Sequence, residues 1–302
     1  MIHVACNLCG SDDYRVRFPA TTELGEQLDA SACCCTNEGY GSHARIVTCR
    51  KCGLTYASPR WSAEQLLAAY GHVEDPTYEA ERRGRELTFD RQLHKLERHT
   101  GVSGGRSLLD VGAHTGVLVE VAKRRGWEAT GVEPSRWAAG VAGDRGLDIV
   151  VGTLDAPDLL GREFDVITMF DVIEHVDDPT AELAKAFKAV RPGGYMVVNT
   201  MDIDSRFARM MGRRWPWLMD MHIHYFSRDT LTRLLESVGF AAVETETESR
   251  VVTLGYASSR LGGMSKRLGQ ASGWVFEKLR LAERAVPIKL GDLFTAYARK
   301  PA

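Results

Sequence analysis

A chain of 302 residues with 44% hydrophobic and 26% charged side chains has the make-up of a globular protein, long enough for one large domain plus a small one. Its formal net charge of -2 argues against a protein that relies on overall attraction to polyanions, so nucleic acid is not an expected partner. No run of eighteen apolar residues and no signal-peptide-like start are present, which sets aside membrane spans and export and predicts a cytoplasmic location.

All seven cysteines lie in the first sixth of the chain. Cys6-x-x-Cys9-Gly10 and Cys49-x-x-Cys52-Gly53 are two matching knuckles, with 39 residues between Cys9 and Cys49. Four thiolates in two such pairs suit a tetrahedral Zn2+ in a closed, structural site, and without an export signal metal binding is favoured over disulfides. Cys33 to Cys35 fall between the knuckles and read as buried or incidental thiols. Residues 1–58, with short β-like stretches at 14–18 and 46–48, are thus expected to form a zinc-ribbon module too small for an apolar core of its own.

Residues 59–104 read as a helical linker and lid. Ser62 followed by Gln65 is a capping-box signal for a short helix, and a second helix is expected over 79–99 with Phe89, Leu93 and Leu96 on one face. Gly101, Gly104 and Gly105 end it. From 105 to 302, apolar runs alternate with helical patterns, the mark of βαβ units around a parallel sheet with helices on both faces, an α/β Rossmann-like fold. Strands are expected at 107–111, 129–132, 148–151, 164–169 and 195–199, with helices at 117–125, 136–145, 180–190 and 230–238 between and after them. Weaker strands follow at 242–247 and 292–299.

The segment Leu108-Leu109-Asp110-Val111-Gly112-Ala113-His114-Thr115-Gly116 is a strand running into a glycine turn and a helix. Such a turn lets backbone approach a ligand and presents unpaired N–H groups. Glu133, 23 residues beyond Asp110 at the end of the next strand, can accept both ribose hydroxyls of an adenosine. A dinucleotide fingerprint would need glycine where His114 and Val117 stand. Asp110 beside the turn suits a cationic amino group better than a pyrophosphate, which points to a zwitterionic cofactor without phosphate.

With these residues the chain resembles the class I S-adenosylmethionine-dependent methyltransferases, in the branch of ubiquinone-type O-methyltransferases and sugar methyltransferases. The resemblance runs over roughly residues 75–300 and includes Phe164-Asp165-Val166-Ile167 and Arg191-Pro192-Gly193-Gly194 at the fourth and fifth strands. It implies S-adenosylmethionine as cofactor, held by Asp110, Gly112, Gly116 and Glu133, with Leu154, Asp155 and Asp171 as further contacts. Ala113 and Gly152-Thr153-Leu154-Asp155 depart from the family's usual residues. The cysteine module resembles zinc ribbons fused to methyltransferases.

On the acceptor side, Phe170-Asp171-Val172-Ile173-Glu174-His175 follows the fourth strand, at the carboxyl edge where open α/β sheets bind ligands. His175 is the expected base, since an imidazole takes up protons reversibly near neutrality, and related sugar O-methyltransferases can use a histidine in this segment. Asp202 can orient a hydroxyl or polarise that histidine. His222, His224 and Tyr225 lie where the family builds its acceptor pocket, and an extended backbone there would send both histidines to one side. Arg213 and Arg214 can meet a phosphate on the acceptor. A helical insert at about 255–289, with seven Lys or Arg against two Glu and a net +5, offers a peripheral membrane or dimer contact.

The expected function is therefore O-methylation of a sugar, glycan or related small-molecule hydroxyl with a histidine base. C-methylation of a nucleotide sugar, RNA methylation and a non-catalytic zinc-ribbon interaction protein are the alternatives.

Overall fold

The computed structural model describes residues 2–22, 28–36 and 39–302. The chain begins with strands β1 (Tyr14–Phe18), β2 (Ile46–Cys49) and β3 (Thr55–Ala57). Helices α1 (Ala63–Gly71), α2 (Pro76–Ala80) and α3 (Arg82–Thr100) follow. The alternating part runs β4 (Ser107–Val111), α4 (Val117–Arg124), β5 (Glu128–Glu133), α5 (Arg136–Gly143), β6 (Ile149–Val151), β7 (Phe164–Phe170), α6 (Pro179–Ala189) and β8 (Val190–Met201). Then come α7 (Arg206–Met211), β9 (His224–Tyr225), α8 (Arg228–Ser237), β10 (Ala241–Thr247) and β11 (Arg250–Thr253). The chain closes with α9 (Leu254–Met264), α10 (Lys266–Lys278), β12 (Ala285–Ile288) and β13 (Leu293–Arg299).

Seven strands form the central sheet in the order β10-β13-β8-β7-β4-β5-β6. β8, β7, β4, β5 and β6 are parallel, and β13 and β10 join antiparallel at one edge. This is the α/β Rossmann-like arrangement read from the sequence. Because β5 and β7 flank β4 on opposite sides, the strand order reverses there and opens a crevice at the carboxyl ends. One sheet face packs Leu108, Val166 and Val197 against Leu93 and Leu96 of α3 and Leu118 and Val121 of α4. The other packs Leu109, Ile167 and Val198 against Leu183 of α6 and Leu231 and Leu234 of α8.

Ser62 caps α1 through the expected box with Gln65. The single helix expected over 79–99 is instead broken at Glu81. Its buried carboxylate accepts hydrogen bonds from Thr253 N–H at 2.7 Å and Thr253 Oγ1 at 2.6 Å, an anchor on β11 that no local pattern announces. The insert is helical as expected, but it is a two-helix hairpin carried on the β11–β12 ribbon.

The cysteine segment packs on the large sheet. β1, β2 and β3 form a four-stranded antiparallel sheet completed by β9, which comes from the chain beyond β8. Cys6, Val47, Cys49 and Tyr56 belong to the same apolar cluster as Leu109 and Phe226.

Candidate functional site

A cavity of about 430 Å3 opens at the carboxyl edge of the sheet. Its lining includes Asp110, Gly112, His114 and Glu133 from β4, β5 and the turn after β4, together with Asp171, Glu174 and His175 after β7, and Tyr70, Asp155, Trp217 and His222.

The cofactor side is built by β4 and β5. Gly112 takes φ +72°, and a Cβ there would fall 2.5 Å from Val172 Cγ2. Gly116, at φ +73°, does not line the cavity; it lets the turn enter α4, where a Cβ would meet Leu147 Cδ1 at 2.6 Å. The amides of Gly112 and Ala113 both donate to Val132 O, at 2.9 and 3.1 Å, tying the turn to β5. Glu133 accepts the backbone N–H groups of His114 and Ser135, each at 2.8 Å. Asp110 Oδ1 accepts from Thr168 Oγ1 at 2.7 Å. Burial raises both carboxyls to about 7; for Asp110 the Thr168 bond opposes the rise and the neighbouring Glu133 charge adds to it.

Three residues at this end were not marked by sequence reasoning. The Tyr78 ring of α2 stacks on His114 with centroids 3.8 Å apart, and the Arg85 guanidinium lies 3.5 Å above Tyr78. Neither nitrogen of His114 has a hydrogen-bond partner, and burial together with Arg85 pushes this imidazole down to about 4. An aromatic residue 36 positions before a glycine-turn histidine carries no recognisable pattern, so only tertiary structure finds the stack.

On the acceptor side, His175 Nδ1 lies 2.8 Å from Met221 O, and His222 Nδ1 lies 2.7 Å from Trp217 O. A carbonyl can only accept, so both rings carry their proton on Nδ1 and keep a lone pair on Nε2. Burial lowers the pKa of each, which keeps both neutral. The rings are 4.8 Å apart, and Tyr70 meets His175 edge-on at 5.9 Å. Glu174 Oε2 accepts from Thr200 Oγ1 at 2.9 Å, while its Oε1 is buried without a partner. Burial, reinforced by Asp171, raises Glu174 to about 8. One donor atom each from Glu174, His175 and His222 lies within 4.8 Å of the others. Arg250 of β11 reaches in to pair with Asp171 and lies 4.9 Å from the Trp217 ring centre.

Several expected site residues are elsewhere. Leu154 is buried in the core beside the cavity and does not line it. Asp202 points away, accepting Asp204 N–H at 3.0 Å and pairing with Arg228 at 3.4 Å. His222 sits in a turn closed by its N–H to Met219 O, so the two histidines do not share a side. His224 instead lies 2.9 Å from Arg60 Nη1, and Tyr225 is buried with its hydroxyl on Met219 O at 3.3 Å. Arg213 and Arg214 are exposed on a short 3-10 turn outside the cavity. Of the acceptor residues expected, only His175 and His222 line the cavity; Tyr225 meets the His222 ring edge-on at 6.3 Å from outside it.

The four knuckle cysteines do converge. Cys6 and Cys52 Sγ are 3.3 Å apart and Cys9 and Cys49 Sγ are 3.6 Å apart, with all four within 4.8 Å. Sulfurs at the corners of a zinc tetrahedron stand about 3.8 Å apart, so the set fits Zn2+ in size and chemistry. The module is tied to the acceptor side. Asn7 Nδ2 donates to Asp178 Oδ1 at 2.7 Å, Arg60 pairs with Asp177 at 2.7 Å, and Cys33 and Cys35 line the cavity.

A crevice that presents one buried carboxylate at the end of β4 and another at the end of β5, with His175 and His222 in its lining, belongs to a class I S-adenosylmethionine-dependent methyltransferase. Residues 78–245 match a family model described as a methyltransferase domain, and the chain belongs to that family. Among curated proteins it is similar to the ubiquinone biosynthesis O-methyltransferase of Aeromonas salmonicida, 28% identical over 48% of this chain and 68% of that one. The enzyme of the same description from Caulobacter vibrioides is 38% identical over 32% of this chain and 42% of that protein. The chain spans about half the length or less of most of these relatives. Among solved structures it shares a fold with YcgJ of Bacillus subtilis (TM-score 0.50, 14% identity, 70% of this chain and 99% of that one). The plantazolicin methyltransferase BpumL, solved with S-adenosylhomocysteine, gives a TM-score of 0.50 at 14% identity over 79% of this chain and 90% of that one.

Proposed function

We propose that this enzyme transfers the methyl group of S-adenosylmethionine to a hydroxyl on a small, largely apolar acceptor, with His175 as general base. The observation that carries the reading is the His175 hydrogen bond to Met221 O, which fixes the tautomer and leaves Nε2 as a proton acceptor in the cavity wall. When bound, S-adenosylmethionine supplies a methyl group already activated by its positive sulfur. Glu133 would hold the ribose hydroxyls and Asp110 the amino group, while the unpartnered imidazole of His114, neutral and so one donor and one acceptor, and the Arg85 guanidinium offer polar contacts in the same cavity. His175 Nε2 would take the proton of an acceptor hydroxyl held in line with that methyl group, whose bond to sulfur would break as its bond to the oxygen forms, with S-adenosylhomocysteine as the leaving group.

Tyr70, Trp217, Met201 and Met221 in the wall favour a ring scaffold bearing a hydroxyl over a freely hydrated sugar, and the names of the curated relatives agree with O-methylation. The sugar, glycan and nucleotide-sugar acceptors expected from sequence lose the support of Arg213 and Arg214, which stand outside the cavity. The test is methyl transfer to a panel of phenolic and sugar hydroxyls by wild type and His175→Asn. Loss of a positioned base lowers kcat by about 100- to 10,000-fold. Cofactor affinity should change less than about threefold, because His175 is bonded to Met221 O while Glu133 is held by the His114 and Ser135 amides and Asp110 by Thr168. Unchanged turnover in His175→Asn overturns the base, and transfer to sugars alone overturns the acceptor class.

The unpartnered Glu174 Oε1 beside His175 and His222 supports a second reading, a divalent cation that lowers the pKa of the hydroxyl in place of a free base. Activity that rises with added Mg2+ or Mn2+ in wild type, and not in His222→Ala, favours it.

A further inference from the structure

The hairpin of α9 and α10 lies beyond the segment matched by the family and plays no part in the cavity. Its two helices meet through small residues. A Cβ on Gly269 would fall 2.4 Å from Gly262 Cα, and Ser258 Oγ donates to Gly269 O at 2.9 Å. Helices that approach this closely have no room for a side-chain core between them, so the large apolar groups turn outward. No residue of α10 is buried. Leu268 is 61% exposed, Leu279 60% and Trp274 62%.

This exposure is patterned. Leu268 and Val275 of α10 and Leu279, its C-cap residue, follow one another at i, i+7 and i+11, a single stripe along the helix and its end. Trp274 and Lys278, one turn apart, border it, with Lys278 Nζ 4.7 Å from the Trp274 ring centre. Arg267 lies on the same border, and Lys266, Arg280 and Arg284 are exposed nearby. Residues 255–289 carry a net +5 while the whole chain carries -2, which leaves -7 for the remainder. An outward apolar stripe edged by tryptophan and cations, on an otherwise acidic protein, complements one surface well: an anionic bilayer, whose acyl boundary takes the stripe and whose headgroups take the cations. Among the described residues no helix is long and apolar enough to cross a membrane, so the hairpin would lie on the surface.

We propose that the α9–α10 hairpin docks this enzyme on anionic lipid bilayers through the Leu268, Val275 and Leu279 stripe and its bordering Lys and Arg side chains. This does not rest on the identity of the methyl acceptor. The test is co-sedimentation of the full-length protein with phosphatidylcholine vesicles and with vesicles containing about one third phosphatidylglycerol, at low and high salt. Each Lys or Arg near an anionic surface is worth roughly fivefold in binding, so anionic vesicles should bind at least ~10-fold better, and salt should erase the difference. The double variant Leu268→Asp/Leu279→Asp should lose ~10-fold or more, and Lys278→Glu about fivefold. All substituted side chains are exposed, so folding is preserved; cofactor binding by the same preparations confirms it. No binding of wild type to anionic vesicles, or equal binding by the Leu268→Asp/Leu279→Asp variant, overturns the proposal. So does a dimer in sedimentation velocity that this variant dissolves without any vesicle binding, which assigns the stripe to a second copy of the chain.

Discussion

The two walls of the cavity are made in different ways. The cofactor wall comes from two neighbouring strands and the turns that leave them, so Asp110, Gly112 and Glu133 lie within 24 residues of one another. The acceptor wall is gathered from the loop after β7, the 217–222 turn, β11 and the cysteine module, with β9 pairing β3 across about 170 residues of chain. Chemistry shared by a whole family needs only local geometry. On the function proposed above, acceptor recognition depends on parts that must first assemble, with the cysteine module as their clamp.

The difference is sharpest when the clamp is removed. Cys49→Ser breaks the four-sulfur set at the end of β2. Acceptor turnover should then fall at least ~100-fold, since the binding free energy of a structural zinc, on the order of 10 kcal/mol, is folding free energy. S-adenosylmethionine affinity should stay within about threefold, because none of the four knuckle cysteines lines the cavity and Asp110 and Glu133 are held by Thr168, His114 and Ser135. Parallel zinc content, turnover and calorimetry check this; equal loss of both activities would erase the distinction.

Glu133→Ala attacks the other wall. It removes the expected ribose acceptor and strands the His114 and Ser135 N–H groups, so cofactor affinity should weaken by about 10- to 100-fold. Acceptor KM at saturating cofactor should hold, a pattern opposite to that of Cys49→Ser.

The pH dependence of cofactor binding is gentler. Asp110 and Glu133 rise to about 7 through burial, so at lower pH both gain protons in the free enzyme. Only the ionised forms face a cationic amino group or accept two ribose hydroxyls. Affinity should therefore level off above about pH 8 and weaken as pH falls through 7, by up to ~10-fold per unit for each carboxyl that must ionise. A flat profile from pH 6 to about 8 would contradict the assignment of these carboxyls. Smallest of all, Arg213→Ala and Arg214→Ala should leave acceptor KM within about twofold, as expected for exposed surface changes; a larger rise would bring this turn back into the acceptor site.

The same contrast governs what could be read in advance. The strand, glycine turn and acid of β4 and β5 are contiguous patterns with a backbone reason for each residue, and the structure places them as expected. The knuckle cysteines were legible because metal chemistry restricts both residue type and spacing. The break between α2 and α3 was not, since its cause is Glu81 bonding Thr253, 172 residues away. Strand alternation put His222 and His224 on one side, but a turn holds His222 while β9 carries His224 toward Arg60. Tyr78, Arg85 and Arg250 reach the cavity through tertiary packing alone.

Calorimetric titration of zinc-loaded protein with S-adenosylmethionine, comparing wild type, Asp110→Ala and His175→Asn, tests the account most directly. It predicts binding that is lost or strongly weakened in Asp110→Ala and preserved in His175→Asn. Equal binding by all three proteins, or loss in His175→Asn with retention in Asp110→Ala, would contradict the division of the cavity into cofactor and acceptor walls.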